Sequence, residues 1–158
     1  MHLLIPLCQT KAQNILRLKR LDQLYGFRAD GIEDIAPVVE RLKNAAQLHY
    51  LFLNSCNLND QDLKNISTIT SLENLEVGQN PSITEAGLEY LTELPKLHEL
   101  DIHGIHFDSK CIAILKRFKS LNTHLRISSD GWTAVDQAAL KHALPGCQIN
   151  RCGDSPIE

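Results

Sequence analysis

The chain has 158 residues, a formal net charge of −3, and 22% charged, 43% hydrophobic and 5% aromatic residues. This length suits one domain, and a charge so close to neutral favours neither a nucleic-acid-binding module nor a disordered acidic segment. No apolar run approaches the ~18 residues of a membrane span. The five cysteines are too few for a disulfide scaffold and are typical of a reducing compartment. Because aromatic residues are so few, aliphatic side chains must fill the core.

Three segments of the chain share one hydrophobic frame, L-x-x-L-x-L-x-x-(N/C/I). The segments begin at Leu48, Leu72 and Leu97, and their second leucines lie 24 and then 25 residues apart. Similar spacings extend the register toward both ends of the chain. The predicted strand anchors are therefore Leu3, Phe27, Leu51, Leu75, Leu100, Leu125 and Cys147.

Apolar triplets at i, i+3, i+6 spacing lie between the anchors and are typical of one stripe of a short helix. The triplets are Ile15/Leu18/Leu21, Val39/Leu42/Ala45, Leu63/Ile66/Ile69, Leu88/Leu91/Leu94 and Ile112/Leu115/Phe118. We predict that Asp60, Thr84 and Ser109 are helix N-caps, and that Pro37 lies in the first turn of its helix. Each unit thus consists of a strand, a turn and a helix.

These units resemble the leucine-rich-repeat family, in its ribonuclease-inhibitor-like or cysteine-containing group. The resemblance rests on the L-x-x-L-x-L frames and on residues 83–91, which are similar to that group's I-T-x-x-G-L-x-x-L stretch. It places Cys8, Cys56 and Asn80 where a buried side chain bridges adjacent turns. The resemblance implies an α/β fold, a right-handed curved solenoid with parallel strands on the concave face and helices on the convex face.

The pattern departs from the family in several places. Ile32 and Ile105 stand at the Asn/Cys position, and the frame around Phe27 and Ala29 is weak. His124 is an extra residue in its frame, so we expect a bulge there. We predict a repeat domain over residues 1–150, with about six repeats and a closing strand, and a flexible tail over 151–158.

The N-terminal strand lacks the polar cap that terminal repeats normally need. Three alternatives stay open at this point. The sequence is part of a longer protein, or another chain covers the strand through edge-to-edge association, or the end is simply frayed.

Strand alternation sends the side chains next to the inward leucines to solvent. One predicted column is His2, Gly26, Tyr50, Asn74, Glu99 and His124, and the next is Leu4, Arg28, Phe52, Glu76, Asp101 and Arg126. Exposed aromatic residues beside a patterned charged surface are typical of interaction hot spots. The predicted partner-binding residues are Arg28, Tyr50, Phe52, Asn54, Glu76, Glu99, Asp101, His103 and Arg126.

A metal site is the alternative for the polar part of this surface. The residues that suggest it are Glu99, Asp101, His103 and His124, with His98 and His106 nearby. Zinc takes three or four such ligands. Because neither H-x-x-x-H nor C-x-x-C occurs, we interpret these residues as a solvated polar face and expect no metal.

Catalysis has little support in the sequence. There is no G-x-S-x-G, P-loop or G-x-G-x-x-G motif, and buried thiols such as those expected for Cys8 and Cys56 are inert. Cys111 is expected beside the interior helical stripe and Cys147 inside a strand. Cys152 is the thiol we expect to be exposed, with a disulfide to Cys147 only in an oxidising compartment.

Two basic clusters are interpreted as the solvated outer face of helices rather than a nucleic-acid site. They comprise Arg17, Lys19 and Arg20, and Lys116, Arg117 and Lys119.

We therefore predict a non-enzymatic module, with no cofactor, that binds a protein partner on its concave face as scaffold, adaptor or effector. Neither nucleic acid nor membrane is an expected partner. The alternative is a structural repeat segment, or the substrate-recognition arm of a larger assembly such as a ubiquitin-ligase adaptor. The apolar run at residues 1–7 is short and lacks a basic region before it, so we expect no signal peptide and a location in the cytoplasm, or in the host cytosol for an effector.

Overall fold

The computed structural model describes residues 3–6, 21–33 and 35–152. Seven described strands form one parallel sheet in chain order. The strands are β1 Leu3–Pro6, β2 Leu24–Arg28, β3 Tyr50–Phe52, β4 Asn74–Glu76, β5 Glu99–Ile102, β6 His124–Ser128 and β7 Gln148–Cys152. The described helices are a 3-10 helix at Leu21–Gln23 and α1 Ala36–Leu42, α2 Asp60–Ile66, α3 Glu85–Leu91, α4 Cys111–Leu115 and α5 Ala134–Ala143.

One aliphatic core lies between the sheet and the helices. It joins the inward leucines of the strands to the apolar stripes of the helices; Leu75 and Leu88, for example, are both fully buried. Each α-helix contacts the next helix in chain order, from α1 to α5. The core therefore continues from repeat to repeat, and each unit buries its apolar side against its neighbours.

The start of α2 differs by one residue from the prediction. Asn59, not Asp60, is the N-cap, and it forms a capping box in which Asp62 accepts the Asn59 N–H at 3.0 Å. Asp60 is the first helical residue. Its carboxylate accepts the backbone N–H and the hydroxyl of Thr84 in the next repeat, at 2.8 and 2.6 Å. Thr84 is the N-cap of α3, as predicted.

The other predicted helix starts have mixed outcomes. Pro37 lies in the first turn of α1, as predicted. Ser109 is not the N-cap of α4, because this helix begins at Cys111 and its cap position is Lys110, which makes no side-chain capping bond. Asp108 accepts the Lys110 N–H at 2.6 Å instead, and thus serves the turn before the helix.

The apolar triplets did not predict α5. Leu140 is its only buried residue, so there is no stripe at i, i+3, i+6 spacing to find. The helix begins instead with a capping box between Thr133 and Asp136.

Asn80 bridges adjacent turns, as the resemblance implied. This fully buried side chain accepts the N–H groups of Cys56 and Leu58 at 2.9 and 3.0 Å. Its amide nitrogen donates to the carbonyls of Leu53 and Val77 at 3.0 and 2.7 Å. One side chain therefore satisfies backbone groups of two repeats.

Cys56 has the same role one repeat earlier. Its buried thiol donates to the Ala29 carbonyl at 2.9 Å. Ile105 is buried at its equivalent position, where it adds to the core instead of bridging turns. Cys8 lies outside the described residues.

The strand register confirms the anchors of the middle repeats and corrects both ends. Pairing runs through Phe27, Leu51, Leu75, Leu100 and Leu125, as predicted. At the N-terminal end, however, Ile5 rather than Leu3 pairs with Phe27. The connection from Ile5 is shorter than the repeat length that the prediction assumed. Leu4 and Pro6 therefore precede Gly26 and Arg28 in their columns, where His2 and Leu4 were expected.

At the C-terminal end, Ile149 rather than Cys147 pairs with Leu125. The chain turns after α5, and the Cys147 N–H donates to the Leu144 carbonyl at 3.1 Å. Ile149 lies 24 residues after Leu125, the same spacing as between Leu51 and Leu75, so the L-x-x-C match at Leu144 placed the anchor two residues too early. Strand β7 includes residues 151 and 152, which the predicted boundary assigned to the tail; residues 153–158 lie outside the described residues.

The bulge expected at His124 does not form. Strands β5 and β6 pair in continuous register from His124 to Ile127. The N–H groups of Thr123 and His124 both donate to the His98 carbonyl, and those of His98 and Glu99 both donate to the Glu73 carbonyl in the preceding repeat, so the extra residue is accommodated before Thr123. In the described part of the chain, no helix is long and apolar enough to cross a membrane.

Candidate protein-interaction surface

The side chains that alternate with the buried anchors form two rows across the sheet, which we call the open face. The first row is Gly26, Tyr50, Asn74, Glu99, His124 and Gln148, and the second is Arg28, Phe52, Glu76, Asp101, Arg126 and Asn150. Neighbours within a row lie on strands about 4.8 Å apart. Most predicted partner-binding residues lie in these rows, and Asn54 and His103 lie just beyond β3 and β5.

Arg28 occupies the N-terminal part of the open face and covers an aromatic ring. Its guanidinium carbon lies 5.0 Å from the centroid of the Phe52 ring. Its Nε donates to Asp30 at 2.6 Å, and its Nη2 to Glu76 at 3.4 Å. Phe52 is therefore half-buried under a cation, and not the freely exposed ring that the sequence predicted.

Asn54 fixes the turns that follow the strands. Its Oδ1 accepts the Gly78 N–H at 2.8 Å, its backbone N–H donates to Asp30 at 3.0 Å, and its Nδ2 donates to Glu76 at 2.9 Å. These bonds use its donors and acceptors within the chain, so Asn54 positions the surface and is poorly placed to bind a partner directly.

Asp101 is also occupied by internal bonds. Its carboxylate accepts the backbone N–H of His103 at 2.9 Å, His103 Nδ1 at 2.6 Å, and Arg126 Nη1 at 3.3 Å, and its side chain is only 13% exposed. Arg126 Nε also donates to Cys152 Sγ at 3.3 Å. That bond, together with the charge of Asp101, raises the pKa of Arg126.

An aromatic cluster of Tyr25, His49 and Tyr50 lies at the start of β2 and β3. The Tyr25 ring centroid is 4.5 Å from that of His49 and 5.4 Å from that of Tyr50. A hydrogen bond with Tyr25 is the main cause that raises the pKa of Tyr50. Glu73 continues this edge: it contacts His49 Nδ1 at 2.9 Å and His98 Nε2 at 3.7 Å.

Sequence reasoning missed Tyr25, His49 and Glu73 as surface residues. They occupy the first variable position of each frame, directly after the first leucine, whereas the prediction considered only the alternating positions around the second leucine. The signal that could have found them is the polar or aromatic character of this position in successive repeats.

A shallow depression of about 150 Å³ lies in the middle of the open face. Its lining residues are Asn74, Glu76, Glu99, Leu100, Asp101, His124 and Arg126. Asn74 Nδ2 donates to Glu99 Oε2. The Nε2 atom of His124 is buried and has no hydrogen-bond partner among the described residues.

The residues of the metal alternative come together only in part: Glu99, Asp101 and His124 line the depression. No group of three or more His, Cys, Asp or Glu side chains within the described residues is arranged to hold a metal ion. His103 faces Asp101, His98 lies near Glu73, and His106 is exposed in a loop.

The described cysteines are free thiols with different surroundings. Burial raises the pKa of Cys56, that of Cys111 to about 12, and that of Cys147 to about 11. Cys152 is half-buried beside Arg126; the expectation of an exposed tail thiol is wrong because β7 extends to this residue.

The basic cluster after α4 lies at the surface, as interpreted. Lys116, Arg117 and Lys119 are exposed, and Arg117 Nη1 donates to Glu89 at 3.0 Å. The cluster of Arg17, Lys19 and Arg20 lies outside the described residues.

Comparison with solved structures identifies the fold. The chain is similar to actin-binding site 2 of leiomodin-1, with a TM-score of 0.65 and 17% sequence identity over 84% of this chain and 86% of that one. The fold is of the leucine-rich-repeat kind. No protein-family model matches the chain, and no curated protein matches it in sequence.

Two internalins of Listeria monocytogenes strain 4b F2365 are more distant structural neighbours. Internalin inlF has a TM-score of 0.48, with 19% identity over 82% of this chain and 43% of its own. Internalin C2 has a TM-score of 0.46, with 19% identity over 84% of this chain and 66% of its own.

Proposed function

We propose that this chain is a non-enzymatic interaction module that binds a protein partner through the open face. In this proposal the repeat domain, residues 1–150, is a right-handed curved solenoid, with the open face concave and the helices convex. The observation that carries the proposal is the open face itself, where a rigid sheet presents an aromatic cluster next to carboxylates. The interaction role of leucine-rich-repeat neighbours, such as the actin-binding site of leiomodin-1, supports it in general terms.

The contacts within the open face divide the predicted residues into three groups. Tyr50 and Glu99 are half-buried and are held by neutral side chains, so we propose that they contact the partner directly. Asn54, Asp101 and His103 are engaged in internal bonds and position the surface. Arg28, Phe52, Glu76 and Arg126 contribute their remaining exposed edges.

The test is a capture experiment with the full chain as bait and a photo-crosslinking amino acid at Gln148, an exposed residue of the first row on β7. The variant Tyr50→Ala/Glu99→Gln should lose the cross-linked partner. Asp101 is left intact because its replacement would release Arg126 and disturb the face as a whole.

The matched control is Tyr90→Ala/Glu93→Gln, which removes the same two residue types from the exposed outer side of α3 and the turn after it. It should retain the partner. Loss of the partner in both variants, or in neither, would contradict binding through the open face.

The second candidate function is a structural segment of a larger assembly, such as a substrate-recognition arm. It is favoured by the edges of the described sheet, since β1 pairs only with β2 and β7 only with β6, and open edges can pair with another chain. Light scattering after gel filtration tests the edge-to-edge association: a concentration-dependent dimer supports it, and a monomer over the whole range contradicts it.

A further inference from the structure

We propose that the open face recognises a basic segment of its protein partner, and that the depression receives an arginine or lysine side chain. This inference rests on the proposed function and specifies the chemistry of the partner. It depends on the charge of the face, on the pairing of its carboxylates, on the depression, and on the aromatic cluster.

The open face and its margins carry more negative than positive charge. The open face and its margins hold five carboxylates against two guanidinium groups among the described residues. These are Asp30, Glu73, Glu76, Glu99 and Asp101, against Arg28 and Arg126. The excess of negative charge equals the formal net charge of the whole chain, −3. A face with an excess of negative charge attracts a positively charged partner.

These carboxylates differ in whether a guanidinium group of this chain already pairs with them. The guanidinium groups of Arg28 and Arg126 reach Asp30, Glu76 and Asp101. Glu99 is different: its hydrogen bond comes from the neutral amide of Asn74, and no lysine or arginine of the described residues pairs with it. Glu99 is therefore a carboxylate that remains available to a cation from outside.

The depression around Glu99 has room for a cationic side chain. The depression of about 150 Å³ has the volume of about five water molecules, which is enough for a guanidinium group and part of its stem. A guanidinium presents planar donors that match carboxylates such as Glu76 and Glu99. His124 also lines the depression, and its buried Nε2 has no hydrogen-bond partner among the described residues. The depression therefore offers an entering cation the carboxylates of Glu76 and Glu99 beside the His124 ring.

The aromatic cluster offers a second contact for a cation. Aromatic faces attract cations, and Arg28 already uses this contact over Phe52, at 5.0 Å. Tyr50 lies on β3, two strands from Glu99 on β5, a separation of about 10 Å. An extended peptide covers this distance in about three residues, so a short basic segment reaches both parts of the face.

The experiment uses fluorescein-labelled nona-arginine as the probe and nona-glutamate as its negative control, measured by fluorescence anisotropy with the full chain. Nona-arginine should bind with a Kd that rises with salt, and nona-glutamate should not bind. Glu76→Gln/Glu99→Gln should weaken binding about 5- to 20-fold.

Two further variants control for total charge and for folding. Glu89→Gln/Glu93→Gln makes the same charge change on the outer side of the repeats, and should alter the Kd less than about twofold. Asn74→Asp adds a carboxylate to the depression and should strengthen binding about two- to threefold. Because this variant predicts a gain, it keeps the inference falsifiable even if the double variant folds poorly.

The outcomes separate this inference from the proposed function. Equal weakening by the two double variants would mean that the peptide senses net charge alone, and would overturn the inference. Weaker binding by Asn74→Asp would mean that a carboxylate added to the depression does not favour the cation there, and would also overturn it. If nona-arginine does not bind but Tyr50→Ala/Glu99→Gln still loses a cross-linked partner, the basic-segment inference fails and the proposed function stands. If nona-arginine does not bind and Tyr50→Ala/Glu99→Gln retains its cross-linked partner, both the basic-segment inference and the proposed function fail.

Discussion

The interior repeats around β3, β4 and β5 and the C-terminal end formed by α5 and β7 have the same secondary structure but different degrees of burial. In the interior, the anchors Leu51 and Leu75 are fully buried. At the C-terminal end, the equivalent anchor Ile149 is only half-buried, and α5 contributes the single buried residue Leu140.

The difference follows from the number of neighbours. An interior repeat is covered on both sides, whereas among the described residues α5 and β7 pack against the preceding repeat on one side. Their other side borders a groove of about 510 Å³. The groove is lined by Ala134, Gln137, Ala138, Leu140, Lys141, Cys147, Ile149 and Arg151. In a solenoid, stability depends on contacts between neighbouring units, so equivalent substitutions should have unequal effects in the two regions.

The largest expected difference concerns the anchors. Leu75→Ala should lower the free energy of unfolding by about 4 kcal/mol, because it opens a cavity in a fully packed site. Ile149→Ala should lower it by about 1 kcal/mol, since this side chain is already partly solvated. Urea denaturation followed by circular dichroism measures both. Equal losses would show that the two regions are packed equally well in solution.

Asparagine provides the second comparison. Asn80→Ala should cost about 3 kcal/mol, because it leaves buried backbone groups of Cys56, Leu58 and Leu53 without partners. Asn150 is exposed on β7, and Asn150→Ala should change stability by less than about 0.5 kcal/mol. The same urea titrations apply; a cost for Asn80→Ala close to that of Asn150→Ala would mean that the turn ladder contributes little.

The same contrast explains how far the sequence predicted the fold. In the interior, the frame and the packing coincide, so the anchors from Phe27 to Leu125 could be predicted from spacing alone. At the C-terminal end, the regular spacing of 24 residues leads from Leu125 to Ile149, but the prediction followed the L-x-x-C match at Leu144 to Cys147. The single buried residue of α5 gives no stripe. A motif match has no information about whether its residues form a strand or, as here, a turn.

The sequence predicted which residues of the candidate site lie on the open face, but not how their side chains contact one another. Strand alternation identified the rows that contain Tyr50 and Glu99, because it depends only on backbone geometry. It could not show that Arg28 covers Phe52, or that Asp101 is occupied by internal bonds, because those contacts depend on side-chain positions across neighbouring strands.

Glycines provide a third comparison. A Cβ atom on Gly78 would lie 2.4 Å from Nδ1 and 3.0 Å from the carbonyl oxygen of His103, so Gly78→Ala should cost about 2 kcal/mol through overpacking. A Cβ on Gly146, after α5, would approach Asn122 no closer than 3.8 Å. Gly146→Ala should therefore be neutral within about 0.5 kcal/mol. Thermal unfolding of the two variants measures the difference, and a neutral Gly78→Ala would show that β5 and its turn can move away.

The smallest expected effect is a dependence of stability on alkaline pH through Cys111 at the start of α4. Burial raises the pKa of this thiol from 9.0 to about 12, so the folded state favours the neutral form. Above pH 9 the unfolded chain loses the proton and the folded chain keeps it, and stability falls as pH rises toward 12. Between pH 9 and 10 the loss through this group is about 1 kcal/mol. Urea titrations at pH 8, 9 and 10 measure it as the part of the loss that is absent in Cys111→Ala.

Thiol labelling tests the same group against Cys147 at the C-terminal end. Cys147 is half-buried, so a maleimide should modify it in the native state, whereas fully buried Cys111 should react only as fast as the protein unfolds. Mass spectrometry of the labelled peptides resolves the two rates. Exposure of Cys111 requires separation of α4 from the repeats on both sides. Similar labelling rates at low denaturant would therefore mean that the interior opens as readily as the C-terminal end. That result would remove the physical basis for the contrasts between the anchors, the asparagines and the glycines.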